Sequence, residues 1–525
     1  MNENRQSSDK NAGITRRTFL GATTMTGAGM MLSTAASANK NDADHRKPNI
    51  VYVFADQLRA HEVGCYGGKN IETPHMDRLA REGALVSNAI STYPVCSPYR
   101  AMLLTGMYPM RNGMLSNDHR IRPDAPAFGE ACQAAGYRTA YIGKWHVDGR
   151  GRTAYIPPER RMGFEHWMAL ECTHTYFNSM YYKGDSDEPR YWEGYDAIDQ
   201  TRAASEFIRQ QAADNSPFAL FMSWGPPHDP YIAPQEYMEQ VDPKTIEVPP
   251  NFHESGLADA MIDAQRVNLP ENFAHLRNIM RRWLASDEEI RQSYAGYLAA
   301  TKVLDDCLGE LFATLEEAGI LDDTIFIFTS DHGDSMGSQR FFGKETPFEE
   351  SIHIPFLIRY PHKIPANSIR DTLLAPIDVM PTVLGLAEAP CPEVDGLDLS
   401  TVLAGEAEDP RDALLIMCMA VFGNATIANG MDAWRGVRTK QHTYARFEDG
   451  EPWVLFDNKT DPYQLKNMAD SPEHAELRQA LEARLDALLE LAGDPEDQKM
   501  IYDIIARENP NNGMLINYRE ANPAI

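Results

Sequence analysis

Several stretches of the chain are almost continuously apolar, which is typical of strands that are buried on both faces of a parallel sheet. They are residues 47–56, 139–142, 218–224, 324–331 and 354–359. Apolar residues recur at helical spacing in residues 74–83, 128–136, 197–212 and 286–319. Strands that alternate with helices predict an α/β fold with a large, mostly parallel sheet sandwiched by helices. Gly83, Gly136 and Gly319 are expected to end three of these helices in the left-handed conformation.

The pattern changes near residue 409, where a smaller unit begins. Residues 434–447 and 452–457 have the composition of antiparallel strands, with a turn near Asp449 and Gly450. Residues 473–491 have the amphipathic pattern of a helix. We therefore expect a large domain over residues 45–408, a smaller C-terminal subdomain of antiparallel sheet and helix over residues 409–495, and a polar tail over residues 496–525.

One segment of the large domain is rich in aromatic and turn residues. It covers residues 172–195 and predicts a loop insertion. Such a loop either lines a substrate cleft or packs on its own aromatic side chains.

The first 38 residues have three features of an export signal in the usual order. Arg16 and Arg17 form a twin-arginine pattern, a weakly apolar stretch follows, and Ala36-Ser37-Ala38 is a cleavage site. The alternative is a disordered basic leader. We expect export by the twin-arginine (Tat) machinery, cleavage after Ala38, and a periplasmic or secreted protein. No later segment approaches the roughly 18 apolar residues of a membrane helix, so we expect no membrane anchor.

Charge and cysteine content narrow the possible partners. The net charge is −27, from 76 acidic and 49 basic residues, which disfavours nucleic acid as a partner. An anionic substrate would need a locally positive pocket in so acidic a protein. The seven cysteines are scattered and do not form a disulfide framework, although Cys172 could pair with another. Cys96 is the natural candidate for a spare thiol.

Cys96, Pro98 and Arg100 form a C-x-P-x-R pattern, which is followed directly by the helix-like run AMLLTG. A free cysteine is most often a buried structural thiol. A helix N-terminus and a neighbouring arginine would instead stabilise an anion at this position and make the cysteine reactive.

Two acidic residues stand at the ends of apolar strands. Asp56 is followed by Gln57, and Asp331 is followed by His332. Oxygen ligands of this kind suit a hard divalent cation, and His332 also admits a softer metal such as manganese. The alternative is that each aspartate caps the next helix.

Three further segments contain candidates for charge stabilisation and proton transfer. Lys144 and His146 lie in G-K-W-H after a strand, where they are either solvated or hold an oxyanion. His228 lies between prolines in P-P-H-D-P, as a structural loop residue or an acid–base group. Lys344 lies in F-G-K-E.

Together these motifs resemble the type I, formylglycine-dependent sulfatases of the alkaline-phosphatase-like superfamily, over roughly residues 47 to 490. Tyr99 departs from the small residue that the family usually has there. The resemblance implies that a maturation enzyme oxidises Cys96 to formylglycine. It also implies that calcium, or manganese, is bound by Asp56, Gln57, Cys96, Asp331 and His332.

The resemblance also implies roles for the other motifs and a function. Arg100 and Lys144 would hold the nucleophile, His228 and Lys344 would serve the leaving oxygen, and His146 would help to release sulfate. The implied function is hydrolysis of a sulfate ester, with a sulfated carbohydrate as the expected substrate. Two alternatives are a phosphonate monoester or phosphodiester hydrolase on the same scaffold, and a non-catalytic binding protein in which Cys96 is not converted.

Overall fold

A computed structural model describes residues 47–252, 286–420 and 433–508 of the chain. The export signal predicted for residues 1–38 lies outside the described residues, as does the end of the predicted tail, residues 509–525. None of the helices in the described part is long and apolar enough to cross a membrane. All seven cysteines lie in the described part, and each is a free thiol there.

A sheet of ten strands forms the centre of the molecule, in the order β10-β2-β9-β8-β1-β7-β3-β4-β5-β6. The strands are β1 (Asn49–Asp56), β2 (Ala84–Ala89), β3 (Arg138–Lys144), β4 (His166–Leu170), β5 (Met180–Lys183), β6 (Arg190–Tyr191), β7 (Phe218–Pro227), β8 (Thr324–Ser330), β9 (Phe356–Arg359) and β10 (Ser368–Leu374). Strand β1 is parallel to both β7 and β8, and β3 is parallel to β7 and β4. The predicted mostly parallel sheet is confirmed.

Strand β9 runs antiparallel to its neighbours β2 and β8. A parallel return would need a crossover connection of a dozen or more residues, usually a helix. The segment between β8 and β9 contains only two short helical turns, of three and four residues. Strand β9 therefore begins at the end of the sheet where β8 finishes and runs back beside it.

Helices cover both faces of the sheet. They are α1 (Pro74–Glu82), α2 (Cys96–Thr105), α3 (Pro109–Asn112), α4 (Phe128–Ala134), α5 (Asp196–Ala213), α6 (Gln235–Met238), α7 (Asp287–Glu317), α8 (Glu349–Ile352), α9 (Pro376–Leu386) and α10 (Ser400–Ala404). Helix α7 begins with a capping box, in which the Ser286 hydroxyl accepts from the Glu289 N–H and the Glu289 carboxylate accepts from the Ser286 N–H.

Of the three glycines expected to end helices, two adopt the left-handed conformation. Gly136 has φ 84° and Gly319 has φ 69°. The prediction is wrong for Gly83, whose φ is −141°. A Cβ at Gly83 would lie 2.1 Å from the carbonyl oxygen of Ile358, so a glycine is needed there for close approach to β9.

The continuous apolar pattern of β1 follows from burial on both faces. Every residue of the strand is buried. Ile50, Tyr52 and Phe54 pack into one hydrophobic cluster, and the alternating Val51 and Val53 pack into the cluster on the opposite face. The polar residues that follow the apolar run of β1 therefore lie at its carboxyl end, where ligands bind in sheets of this type.

The segment predicted as a loop insertion, residues 172–195, is partly a hairpin. Strands β5 and β6 pair antiparallel and extend the edge of the large sheet beyond β4. Tyr181 and Trp192 stack with ring centroids 3.9 Å apart. The aromatic side chains thus pack partly on one another.

The C-terminal unit is a four-stranded antiparallel sheet with helices against it. Its strands are β11 (Ala413–Cys418), β12 (Trp434–Thr439), β13 (His442–Phe447) and β14 (Pro452–Asp457), in that order. Helix α11 (Ala475–Ala492) is the predicted amphipathic helix. A further helix, α12 (Gln498–Glu508), occupies the start of the segment expected to be a polar tail. It forms because Ile501, Tyr502 and Ile505 are buried in the core of this unit.

Candidate active site

The predicted site residues meet at the carboxyl edge of the large sheet. Asp56 is the last residue of β1, Lys144 is the last residue of β3, and Asp331 follows β8 directly. Because β1, β3, β7 and β8 are adjacent and parallel, their carboxyl ends lie side by side. Cys96 is the first residue of α2, as its sequence context predicts.

The Cys96 thiol is buried between cations and imidazole groups. Its Sγ lies 3.1 Å from Lys344 Nζ and 3.3 Å from His332 Nε2. Burial by itself would raise the pKa of Cys96, but Lys144, Lys344 and His332 outweigh burial and hold this pKa well below its usual value. The position therefore stabilises negative charge, which an inert structural thiol does not need.

Two carboxylates face the thiol. Ligand atoms of Asp56, Cys96, Asp331 and His332 all lie within 4.8 Å of one another. His332 Nε2 is 3.6 Å from an oxygen of Asp56 and 3.4 Å from an oxygen of Asp331. Asp331 accepts from the backbone N–H of Gln57 at 3.0 Å, so it bonds to the loop after the neighbouring strand. Neither aspartate caps a helix.

The amide of Gln57 is aimed into the same cluster. Its Nε2 donates to Asp334 at 2.5 Å, and its Oε1 accepts from Lys344 at 2.9 Å. Asp334 is held in turn by the hydroxyl of Tyr231 at 2.7 Å and by the Gly343 N–H at 2.9 Å. Asp334 lies three residues after Asp331 and was not among the predicted site residues.

This donor set fits a divalent cation. Burial raises the pKa of Asp331 and the adjacent Asp56 charge raises it further, so the two carboxylates repel each other across the cluster. A cation between them would relieve that repulsion, and the carboxylate and amide oxygens are hard ligands that suit calcium. His332 and Cys96 add the softer atoms that manganese accepts.

Arg100 and Lys144 converge on the outer oxygens of the carboxylates. Arg100 Nη2 donates to Asp56 at 3.1 Å and to Asp331 at 2.9 Å. Arg100 Nη1 donates to Ser223 Oγ at 2.5 Å, and Lys144 Nζ donates to the same Asp56 oxygen at 2.6 Å. Burial raises the pKa of Asp56, but Lys144 and other cations hold it well below its usual value. In an otherwise acidic protein, three cations, Arg100, Lys144 and Lys344, thus gather around two carboxylates and the Cys96 thiol.

His146 is positioned by a carboxylate that the sequence did not indicate. Its Nε2 is 2.9 Å from Asp118, which also pairs with Arg152 at 3.1 Å. Together with the neighbouring lysines, His146 lowers the pKa of the buried Cys96 and Cys172 thiols. The backbone of His146 has φ 60°, a strained value that is common at functional sites.

His228 interacts electrostatically with Lys344 and Asp56 of the cluster. Its Nδ1 is 2.8 Å from the carbonyl oxygen of Asp229, and its ring stacks on His174. Burial and the charge of Lys344 lower the pKa of His228 to about 3, although the Asp229 and Asp56 carboxylates act in the opposite direction. All ten predicted site residues are therefore brought together.

Several supporting residues were missed because they lie outside the recognised motifs or on other strands. They are Asp118, Cys172, His174, Ser223 and Asp334. Asp334 is the exception, because it follows Asp331, His332 and Gly333 directly and could have been found from its place beside them.

Sequence comparisons agree with this geometry. The Sulfatase family model matches residues 48–389, and a second model, N-sulphoglucosamine sulphohydrolase, C-terminal, matches residues 337–491. An ulvan-active sulfatase of Formosa agariphila is 37% identical, over 85% of this chain and 82% of its own length. An endo-4-O-sulfatase of Bacteroides thetaiotaomicron is 30% identical, over 86% of this chain and 93% of its own length.

Solved structures show the same fold. A putative sulfatase from Bacteroides fragilis superposes with a TM-score of 0.72 at 30% identity, covering 86% of this chain and 97% of its own. A complex of BT4656 with its substrate D-glucosamine-2-N,6-O-disulfate has a TM-score of 0.74 at 25% identity, covering 86% of this chain and 99% of its own. The chain therefore belongs to the sulfatase family of the alkaline-phosphatase-like superfamily and is a sulfuric ester hydrolase.

Proposed function

We propose that this sulfatase removes sulfate from a sulfated carbohydrate outside the cytoplasm, with formylglycine made from Cys96 as its nucleophile and a divalent cation as its cofactor. The observation that carries the proposal is the buried cluster in which Cys96 contacts Lys344 and His332 beside two carboxylates. A maturation enzyme would convert Cys96 before folding, because the thiol is 2% exposed in the folded chain.

The divalent cation would be bound by Asp56, Gln57, Asp331 and His332 together with the group at position 96. When bound, it supplies positive charge that polarises a sulfate oxygen and lowers the pKa of the nucleophile. The oxygen-rich set favours Ca²⁺, and Mn²⁺ is the alternative that His332 allows.

The cations of the chain would bind the sulfate group and orient it. Arg100, Lys144 and Lys344 surround the thiol and the two carboxylates, and burial strengthens their attraction for a sulfate oxygen. Burial would lower the pKa of Lys144, but Asp56 raises it above its usual value, so this ammonium group keeps its charge. The positive charges would therefore already be in place when a sulfate group binds, and the side chains would need to move little.

The two histidines would move protons at different oxygens. His228, with Nδ1 committed to Asp229, has Nε2 left to serve the leaving alcohol together with Lys344. His146 is one of the groups that lower the pKa of Cys96, and it would assist the step in which sulfate is released. Each role is general acid–base catalysis, which typically contributes about 10²- to 10⁴-fold in rate.

A carbohydrate substrate is supported by the relatives. One is named for activity on ulvan, another is an N-acetylglucosamine-6-O-sulfatase of Bacteroides thetaiotaomicron that is 27% identical, and BT4656 was solved with a disulfated glucosamine. The twin-arginine pattern and the cleavage site at Ala38 support export, which would bring the enzyme to extracellular sulfated polysaccharides.

Two measurements test the proposal. The peptide containing Cys96, from protein produced with a maturation enzyme, should be about 18 Da lighter than the thiol form, on the oxidation chemistry of cysteine. That protein should release sulfate from sulfated oligosaccharides, lose activity on chelation, and regain it with Ca²⁺ or Mn²⁺. An unmodified thiol in the native host would contradict the nucleophile. Faster hydrolysis of phosphodiester or phosphonate model substrates would contradict the substrate class.

A further inference from the structure

The imidazole of His174 lies flat against that of His228. The ring centroids are 4.3 Å apart and the ring planes are inclined by 16°. His174 is on the loop that follows β4, whereas His228 follows β7, so two separate loops bring the rings together. One face of His228 is therefore covered by another imidazole.

The other contacts of His228 leave one nitrogen for the substrate. Nδ1 is 2.8 Å from the carbonyl oxygen of Asp229, and because that oxygen only accepts, Nδ1 carries a hydrogen. The Tyr176 hydroxyl donates to the carbonyl oxygen of His228 at 2.7 Å and holds its backbone. The Nδ1 bond constrains the edge of the ring, and the stack on His174 constrains its plane.

His174 is itself anchored beside the active site. Its Nε2 is 3.8 Å from Sγ of Cys172, and the Cys172 N–H donates to the carbonyl oxygen of Arg152 at 2.9 Å. Cys172 is buried and adjacent to His146, whose pKa it raises. The Cys172–His174 segment thus contacts both histidines to which proton transfer is assigned.

We propose that His174 is a positioning residue that holds the His228 imidazole with Nε2 directed at the leaving oxygen of the sulfate ester. The inference rests on the proposed function, because it assigns His228 to the leaving group. When the bond between sulfur and the alcohol oxygen breaks, that oxygen keeps the electron pair and takes a proton from Nε2. The ring takes up this proton from solvent when the anionic sulfate group binds beside it, because negative charge favours the imidazolium. After the proton has passed to the alcohol, the imidazole is neutral again.

The test compares leaving groups in two variants. His174→Ala removes the stack, whereas His174→Phe keeps an aromatic face and removes the nitrogens. For a sulfated carbohydrate, whose alkoxide needs a proton, His174→Ala should lower kcat by about 30-fold, within the range of general acid catalysis. For nitrophenyl sulfate, whose phenolate leaves without a proton, kcat should fall less than about threefold. His174→Phe should restore the carbohydrate activity to within about fivefold of the wild type.

A binding measurement shows whether the site is intact. The protein with an unconverted Cys96 thiol, with and without His174→Ala, should bind the sulfated carbohydrate with affinities that agree within about twofold, because a positioning residue does not hold the substrate. His362→Ala is the matched control, since His362 is exposed and pairs with Asp323 away from the site. It should change neither kcat nor affinity.

Specific outcomes would overturn the inference. Equal losses on both substrates would indicate a general structural role, and failure of His174→Phe to restore activity would exclude stacking. A large loss of affinity in the unconverted protein would mean that His174 binds the sugar directly. Lack of sulfate release by the converted wild-type protein would overturn the proposed function, and this inference with it, before any variant is compared.

Discussion

Two regions of this molecule bury charged side chains, and they do so in different ways. Where the C-terminal unit meets helix α8, Arg438 donates from Nε and Nη2 to the two oxygens of Glu349 at 2.8 and 3.1 Å, and within that unit Arg435 pairs with Asp494. All four side chains are at most 7% exposed. These are closed pairs, in which one guanidinium fork is matched to one carboxylate.

The active site has no such matching. Arg100 divides one nitrogen between Asp56 and Asp331, and Lys144 donates to the Asp56 oxygen that Arg100 also uses. Arg100 Nε is buried and has no hydrogen-bond partner among the described residues. Because these cations share acceptors, some of their N–H groups remain able to donate to another anion. The two regions therefore differ in that one contains charges that bind each other and the other contains charges that are arranged to bind a ligand.

Removing a charge from the site should affect activity far more than stability. We expect Asp56→Asn to lower kcat/KM by more than about 10³-fold, which is about 4 kcal/mol of transition-state stabilisation, because it removes a ligand of the divalent cation. The free energy of unfolding of the metal-free protein should fall by less than about 1 kcal/mol, because the loss of the Asp56–Lys144 pair is offset by relief of the repulsion between Asp56 and Asp331, and Arg100 keeps its bond to Asp331. Steady-state kinetics, metal content and denaturant unfolding measure the three quantities.

The control for this variant is Asp322→Asn, which removes an exposed carboxylate that pairs with Arg359. It should leave metal content and kcat/KM unchanged. If Asp56→Asn instead unfolded the metal-free protein, the site charges would be structural pairs like those of the C-terminal unit, and the contrast would fail.

Breaking a closed pair should have the opposite outcome. We expect Arg438→Met to lower the free energy of unfolding by about 3 kcal/mol at neutral pH, because it leaves Glu349 buried without its partner. Burial raises the pKa of Glu349, but Arg438 and His353 outweigh burial and lower it to about 2. The stability that the pair supplies is present above the ordinary pKa of 4.5 and is lost as pH falls towards 2. The cost of the variant should therefore shrink as pH falls.

The activity of the folded Arg438→Met protein should stay within about twofold of the wild type, because the pair does not touch the reacting groups. The double variant Arg438→Met, Glu349→Leu should regain most of the stability, since two apolar side chains leave no unpaired charge. If the double variant keeps its fold but does not regain stability, the pair contributes to the free energy of unfolding by more than neutralising two buried charges.

The residues that surround the Cys96 thiol could be predicted because they occur in short motifs at or after strand ends. Asp56 and Asp331 end apolar runs, and Cys96 precedes an evident helix. Parallel strands bring their carboxyl ends together, so local pattern and fold type together predict the cluster. Their roles followed from the resemblance and not from the pattern itself.

The residues that hold these site residues in place could not be predicted in this way. Asp118 bonds to His146, which lies 28 positions further along the chain, and His174 stacks on His228 from the loop after β4. Such contacts depend on how loops are placed, which periodicity does not encode. Helix α12 was missed for a similar reason, since its few apolar residues become a buried face only against the small sheet. The direction of β9 depended on a connection without a crossover helix.

A buried acid that keeps its proton provides a third case for the comparison, with the smallest expected effect. Asp196 is buried, its Oδ2 accepts from Ser179 at 3.1 Å, and its Oδ1 has no hydrogen-bond partner in the described part of the chain. Burial raises its pKa from 3.8 to about 8. Between these two values the folded state keeps a proton that the unfolded state has lost, so the contribution of Asp196 to stability falls as pH rises from about 4 to about 8.

Asp196→Asn should remove that pH dependence, because an amide keeps the shape of the protonated acid and does not ionise. We expect the variant to be more stable than the wild type by about 2 kcal/mol at about pH 8, and the gain to be much smaller at about pH 5. Denaturant unfolding at the two pH values measures it, with the exposed Asp187→Asn as the matched control. Equal gains at both pH values would mean that the carboxyl group does not titrate in the folded protein. A gain confined to high pH would establish that an unpaired buried acid lowers the stability of the fold when it ionises. A closed pair, in contrast, raises stability, and the charges of the active site contribute to ligand binding more than to stability.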